Sequence, residues 1–367
     1  MKSRAAESGL RRPEFRMRSA IPEQSARPLR VAIIGAGLMG YWHGRAARRL
    51  GSQVVAVVDP DANRARALAR ACRAAATATD ASELLHGGDL DAVHICSPAW
   101  THGTLAAQAL EAGIHALVEK PMAKSADETR RLIGIAQRKS VILCPVHQVA
   151  FQTGTEDAAQ ALAGLGDPCA INFRILSDGG TGRSESELDD IVGDILPHPF
   201  SVLRRLWPQA AWEPHRWFVT RPRPGELLVG GEHAGALLSL LVSMHARPTS
   251  FEMLVYGRRG AIALDFFHGF AVRHDGNVSR LRKIVRPFAT SLKLFGAASI
   301  NLIGRGLRVE AAYPGLRQLT REFYTAVRGT APSPISAEDA VAVAVARDAI
   351  QAGSNRFVGG ASSHDGV

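Results

Sequence analysis

The stretch "RVAIIGAGLMGYWHGRAARRLG", Arg30 to Gly51, decides the fold. It opens on a β-branched apolar run, Val31 to Ile34. It then passes through Gly35-Ala36-Gly37-Leu38-Met39-Gly40 into a helical pattern that stops at Gly51. G-x-G-x-x-G between a strand and a helix is the setting in which three glycines have separate tasks. Gly35 permits the tight turn, Gly37 lets a pyrophosphate approach the backbone, and Gly40 lets helix and strand pack closely. The N–H groups of the first helical turn, including Leu38 and Met39, have no helical acceptor. They meet the phosphates with the positive end of the helix dipole.

The next apolar strand, "QVVAVVDPD", ends in Asp59, nineteen residues beyond Gly40, where an acidic residue meets a ribose 2′-hydroxyl. A carboxylate there repels a 2′-phosphate, so NAD is expected rather than NADP, with Arg64 and Arg66 near enough to soften the preference. The plain alternative for Asp59 is a turn residue before Pro60. Strands "DAVHICSP", "HALVEKP" and "VILCPV" then alternate with amphipathic helices. Such alternation implies a parallel sheet covered on both faces. The strand ends at Asp59, Pro98 and Pro121 open on one rim, which brings Ser97, Pro98, His102 and Glu119 to the cofactor. Trp100 is expected to pack on the nicotinamide or to cover the helix start. His102 is open to a structural reading as well.

The apolar run Ala116-Leu117-Val118 ends in the charged triplet Glu119-Lys120-Pro121. A turn explains it, because proline punctuates strands and charges solvate the exit. The sharper reading is chemistry at the carboxyl end of a strand.

These segments resemble the Gfo/Idh/MocA oxidoreductases, the glucose–fructose oxidoreductase and inositol dehydrogenase family. The resemblance rests on "VAIIGAGLMG", "VHICSPAWTH" and above all "HALVEKPMA", and continues to "TREFYTAVRGTAPSPISAEDAVAVAVARDAI" near the carboxyl end. It implies an α/β fold: an amino-terminal Rossmann doubly wound parallel sheet, and an α+β carboxyl-terminal domain with an open, mostly antiparallel sheet that often mediates oligomerisation. The strand-like runs "CAINFRILSD", "HRWFVT", "ELLVGGEH", "ALLSLLVSMHA", "TSFEMLVYG" and "GAIALDFF" are compatible with it. The expected division is a disordered basic tail (1–27), a dinucleotide-binding domain (28–148), a substrate and oligomerisation domain (149–335) with a basic insertion (276–309), and a closing helix and tail (336–367).

The resemblance also implies that Lys120 projects into the cleft beside the nicotinamide. Oxidising an alcohol carbon requires removal of its hydroxyl proton. A lysine beside a positively charged ring and partly desolvated has its pKa drawn toward neutrality, which suits that task. The family's second pair, an Asp followed four residues later by a His, falls on Asp194 and His198, one helical face apart. Pro197 and Pro199 argue against one uninterrupted helix there, and Asp189 and Asp190 are competing carboxylates. The family's basic residue after the sixth strand corresponds to Ala150, which leaves His147 and Gln148 as substrate contacts. "SDGGTGRSESE", Ser177 to Glu187, is expected to be either a mobile loop over the substrate or an ordinary surface loop.

The chain has 367 residues, 46% of them apolar, enough for two domains. No apolar run reaches membrane-spanning length, and a cytoplasmic protein is expected. Of the net charge of +10, residues 1–30 supply eight basic against three acidic residues, without the apolar middle of a signal peptide. The 276–309 segment adds seven basic residues and no acidic one. A membrane surface, a phosphorylated substrate or an acidic partner would suit it, but a helical insertion with a solvated basic face is the preferred reading. No recognition motif supports nucleic acid. Cys72, Cys96, Cys144 and Cys169 are scattered, and neither a disulfide framework nor a metal site is expected.

The leading expectation is an NAD(P)-dependent oxidoreductase acting on a secondary hydroxyl or ketone of a sugar, cyclitol or similar polyol, working as a homo-oligomer. A redox-assisted glycoside hydrolase or a non-catalytic dinucleotide-binding sensor are the alternatives.

Overall fold

In the computed structural model, residues 27–85, 87, 89–276, 279–308, 310 and 312–354 are described. The tail expected over 1–27 therefore lies almost wholly outside them, as does the stretch after 354. Its last residue, Arg27, is tied down: the guanidinium donates twice to Asp91, at 2.8 and 2.7 Å.

The first domain runs β1 (Arg30–Ile34), α1 (Leu38–Arg49), β2 (Gln53–Val58), α2 (Ala62–Cys72), β3 (Ala76–Ala78) and α3 (Ala81–Leu85). It continues with β4 (Ala92–Ile95), α4 (Ala99–Glu111), β5 (His115–Val118), α5 (Ala126–Lys139) and β6 (Leu143–Pro145). All six strands are parallel in the order β3-β2-β1-β4-β5-β6, the doubly wound arrangement. β1, β4 and β5 are buried along nearly their whole length, as strands covered on both faces must be. Helix starts follow local chemistry. Asp61 accepts from Asn63 N at 2.8 Å and so caps α2, and Ser125 accepts from Glu128 N at 3.1 Å and caps α5.

The second domain runs α6 (Thr153–Leu165), β7 (Pro168–Leu176), α7 (Glu185–Ile195), α8 (Pro197–Leu206), β8 (Phe218–Thr220), β9 (Glu226–His233) and β10 (Ala236–Ser243). It ends with β11 (Ser250–Gly257), β12 (Gly260–Asp265), β13 (Phe270–Asp275) and α9 (Arg280–Leu307). Its seven-stranded sheet, β13-β12-β11-β7-β10-β9-β8, is antiparallel except for the β7–β10 pair. Along β10 the burial alternates: Leu238, Leu240 and Val242 face the helices, whereas Leu237 and Leu241 are exposed on the open side.

Two helices close the chain, α10 (Leu316–Val327) and α11 (Ala337–Ser354), and both return to the first domain. Leu316, Leu319, Phe323 and Tyr324 of α10 belong to the core built around the parallel sheet. Sequence position puts α10 inside the expected 149–335 unit, but packing puts it in the Rossmann core.

The 276–309 segment departs from expectation in one respect. It forms α9, but the face turned to solvent is apolar: Ile284, Phe288, Leu292 and Phe295 are 70–77% exposed. Thr290 and Leu294, on the other side, line a cavity against the sheet. Of the basic residues, Lys293 donates to Asp275 and Arg305 to His268 O, both on the side that meets the second domain.

Candidate active site

At the rim where β1 and β2 end, the fingerprint has the geometry its glycines require. Gly35 has φ +101°, and a Cβ there would stand 2.6 Å from the backbone of Cys96 and Ser97. A Cβ on Gly40 would stand 2.0 Å from Gly35 O. Gly37 precedes α1 in extended conformation, and no side chain caps the helix, so its first-turn N–H groups stay open to an anion. Asp59 is buried and holds the loop, its Oδ2 accepting from Ala36 N at 2.8 Å and its Oδ1 from Asp61 N at 3.0 Å. Each carboxylate oxygen has a second lone pair, which suits a ribose hydroxyl. Arg64 reaches the same loop, its Nη2 3.5 Å from a Cβ built on Gly37. Leu38 and Trp100 are exposed at the starts of α1 and α4. The cradle fits a dinucleotide.

At the end of β5, Lys120 is partly exposed and its bond to Pro121 is cis. Asp194 and His198 approach it from α7 and α8. Leu196 between these helices keeps helical angles (φ −53°, ψ −35°), so the two side chains stay on one face despite the prolines. Pro197 and Pro199 occupy the first turn of α8, where a missing N–H costs no helical bond. Burial raises the Asp194 carboxyl above its ordinary range, with Lys120 opposing the rise. Burial, reinforced by Lys120 and His147, holds His198 well below the usual histidine value. His147 is lowered to about 4 by burial, against the pull of Glu119 and Asp339.

Three buried polar atoms here have no hydrogen-bond partner within the protein: His147 Nδ1, Gln148 Oε1 and His198 Nδ1. Buried polar atoms are almost always paired, and an unpaired nitrogen on the His198 ring, which neighbours Lys120 and His147, marks a place for a polar ligand. Of the competing carboxylates, Asp189 is engaged elsewhere, 2.9 Å from Arg221 and accepting from Gly225 N. Asp190 is exposed.

Two residues expected to touch the cofactor are held by hydrogen bonds within the protein. The His102 ring is buried and both nitrogens meet carbonyl oxygens, Nδ1 that of Pro121 at 2.7 Å and Nε2 that of Ser97 at 2.8 Å. It ties the ends of β4 and β5 together and acts on the site through them. Glu119 is buried with Oε1 3.0 Å from His43 Nε2 and Oε2 accepting from Lys120 N at 3.1 Å. The Ser177–Glu187 stretch is partly helix: Ser184 and Glu187 form a capping box that starts α7.

Behind Glu119 lies a chain of buried groups that no sequence motif announces. His43 Nδ1 lies 2.9 Å from His94 Nδ1, and His94 Nε2 lies 2.9 Å from Tyr324 Oη. One assignment satisfies all three bonds with neutral rings. Tyr324 donates to His94 Nε2, His94 Nδ1–H donates to His43 Nδ1, and His43 Nε2–H donates to Glu119. Burial, with His43 adding to it, lowers His94 well below the ordinary value, and burial raises Tyr324. A neutral, one-directional chain thus anchors the carboxylate next to Lys120.

Arg347 of α11 is the other residue the sequence did not single out. Buried, it donates to Ala123 O at 2.8 Å and Lys124 O at 2.5 Å, and Asp348 accepts from Ala126 N at 2.7 Å. The segment after Lys120 is thereby fixed to the carboxyl-terminal helix. The available signal was one arginine in the apolar run "AVAVAVARDAI".

Residues 29–147 match the model of an oxidoreductase family with an NAD-binding Rossmann fold. The chain is 40% identical over 111 residues to inositol 2-dehydrogenase 4 of Saccharopolyspora erythraea, covering 30% of this chain and 33% of that one. It is 33% identical over 175 residues to the UDP-N-acetylglucosamine 3-dehydrogenase of Acidithiobacillus ferrooxidans, 47% of this chain and 53% of that one. The similarity thus spans about a third to a half of these curated relatives. A longer match, 32% over 294 residues, covers 71% of this chain and 79% of an uncharacterised oxidoreductase of Synechocystis. The solved Acidithiobacillus enzyme superposes with a TM-score of 0.70 at 20% identity, over 90% of this chain and 99% of that one, and shares the two-domain fold.

Proposed function

The chain belongs to the Gfo/Idh/MocA oxidoreductase family, and from that premise we propose that it is an NAD-dependent dehydrogenase for a secondary hydroxyl of a sugar, cyclitol or similar polyol. When bound, NAD would supply the hydride acceptor for the carbon that carries the hydroxyl. Gly35, Gly37, Gly40 and the open first turn of α1 hold the pyrophosphate, and Asp59 holds the ribose. Lys120 takes the hydroxyl proton and returns it in the reverse direction. His198, kept neutral by its surroundings, offers Nδ1 to a substrate hydroxyl, and Asp194 on the same face orients the neighbouring one. His147 and Gln148 meet further hydroxyls from the end of β6. The neutral histidines put no additional positive charge beside the oxidised nicotinamide.

The observation that carries this reading is a pair of buried histidine nitrogens without a partner, His147 Nδ1 and His198 Nδ1, with His198 beside Lys120 at the strand-end rim. A polyol presents several hydroxyls to such atoms, and a substrate lacking them leaves those atoms unanswered. The relatives named for inositol and a UDP-sugar point to the same substrate class. A cytoplasmic homo-oligomer is the form we assign to it.

The test is nicotinamide absorbance with NAD or NADP and a panel of polyols and sugars, run beside Lys120→Ala with dinucleotide binding followed by fluorescence. Turnover that falls at least about a hundredfold in the variant while binding persists supports the assignment. An unchanged rate overturns it. Release of an aglycone without accumulating NADH would replace it with glycoside cleavage.

A further inference from the structure

One face of α1 carries Tyr41, Arg45, Arg48 and Arg49 at helical spacing. Together with Ala71 and Cys72 of α2 they line a cavity of about 260 Å³, and no carboxylate among the described residues lines it. Arg48 Nη1 donates to Ala71 O at 3.0 Å, which pins that guanidinium at the cavity wall. Arg45 and Arg49 also line the adjoining crevice between α1 and α10, where Arg317 joins them and the acid present is Glu310. Glu310 is engaged elsewhere: Oε1 accepts from Gly315 N at 3.3 Å and Oε2 stands 3.7 Å from Arg308 Nε.

The negative end of the helix dipole accounts for Arg48 and Arg49, which occupy the last turn of α1. It does not account for Arg45, one turn earlier, because the effect fades beyond that last turn. Arg45 Nε is buried and without a partner, as is Arg317 Nε. Partial burial, then the Arg45 and Arg317 guanidiniums, draw Arg49 below the usual arginine range, so the three cations stand close enough to oppose one another. A buried donor without an acceptor is costly, and like charges gathered at one cavity add to the cost. A multiply charged oxyanion removes both costs. Phosphate offers its oxygens to several guanidinium forks at once. The volume suits a phosphate with a few further atoms and is too small for a dinucleotide. We propose that the cavity between α1 and α2 binds a small phosphorylated anion through Arg45, Arg48 and Arg49, with Arg317 adding its charge from α10. The dinucleotide cradle uses the other, amino-terminal end of α1. The proposal does not rest on the dehydrogenase reading, because none of these residues belongs to the nucleotide or substrate cleft.

The experiment is isothermal titration of the full chain with inorganic phosphate, in chloride buffer of matched ionic strength and with NAD saturating so that the cradle is filled. Saturable binding with a Kd of about 1 mM or tighter is expected. Arg45→Met keeps an apolar stem and removes the charge; it should weaken phosphate binding about tenfold, as should Arg49→Met. Retained dinucleotide binding shows that each variant is folded. Absence of saturable phosphate binding to the native protein overturns the proposal, as does native affinity in both variants. Phosphate that binds only when NAD is left out sits in the cradle, and that result overturns it too.

Discussion

The chain Glu119–His43–His94–Tyr324 makes a prediction whose sign, and not only size, is diagnostic. All four groups are buried, and His94 is the link with a partner on each side. Tyr324→Phe removes one hydroxyl and leaves one orphan, His94 Nε2, at a cost of about 1–3 kcal/mol. His94→Leu leaves two, His43 Nδ1 and the Tyr324 hydroxyl, whose remaining polar neighbour is the Ser52 side chain, about 2–6 kcal/mol together with an added packing term. With both substitutions only His43 Nδ1 is left. Tyr324→Phe should therefore destabilise the native sequence by about 1–3 kcal/mol, yet stabilise the His94→Leu background by a similar amount. The assay is urea unfolding followed by tryptophan fluorescence at about pH 8, where histidine is neutral in both states. If Tyr324→Phe costs the same in both backgrounds, the hydroxyl does not depend on His94, and the chain as assigned is refuted.

Three further outcomes follow from the site. Stability should fall with acidity: His147 and His233, both lowered to about 4, stay neutral in the fold while the unfolded chain takes up protons from about pH 6.5 downward. Their contribution is whole above about 6.5 and shrinks as pH falls, by about 2 kcal/mol each at pH 5, read as a drop in urea midpoint. Arg347→Met frees the carbonyls of Ala123 and Lys124; kcat should fall by about a hundredfold with the dinucleotide Kd nearly unchanged, and an equal fall in affinity would contradict a role confined to the lysine segment. Gly40→Ala puts a methyl 2.0 Å from Gly35 O and should abolish dinucleotide binding measured by fluorescence titration, whereas binding at native affinity would show that the loop can move aside.

Local patterns carried the first domain. The strand-turn-helix of Arg30–Gly51, the carboxylate closing β2 and the charged triplet closing β5 are each written in a few consecutive residues, and the fold builds directly on them. That Asp194 and His198 lie on one helical face was also readable, as a four-residue spacing that two first-turn prolines do not disturb. What escaped depends on distance along the chain. Tyr324 meets His94 across 230 positions and Arg347 meets Ala123 across 224, and neither partner has a neighbouring residue that advertises the contact. The bonding of His102 was hidden for another reason: a histidine at a strand-end rim has the same spacing whether it faces a ligand or braces two loops. Three-residue β3 and six-residue β13 carry no apolar run long enough to mark them. In α9, counting charge along the segment concealed how the helix distributes it around its axis.

The packing of α10 has a consequence for the order in which the molecule can be made. A ribosome releases all six strands of the parallel sheet long before Leu319, Phe323 and Tyr324, which complete their core, and before Arg347, which fixes the segment after Lys120. The nascent first half therefore waits with an apolar slot open beside α1, and His94 waits with its outer nitrogen unpaired, while some 170 residues of the second domain are synthesised. Folding of the nucleotide site is committed only by its last-made helices, so a chain stalled after β13 carries the full fingerprint and no finished cleft.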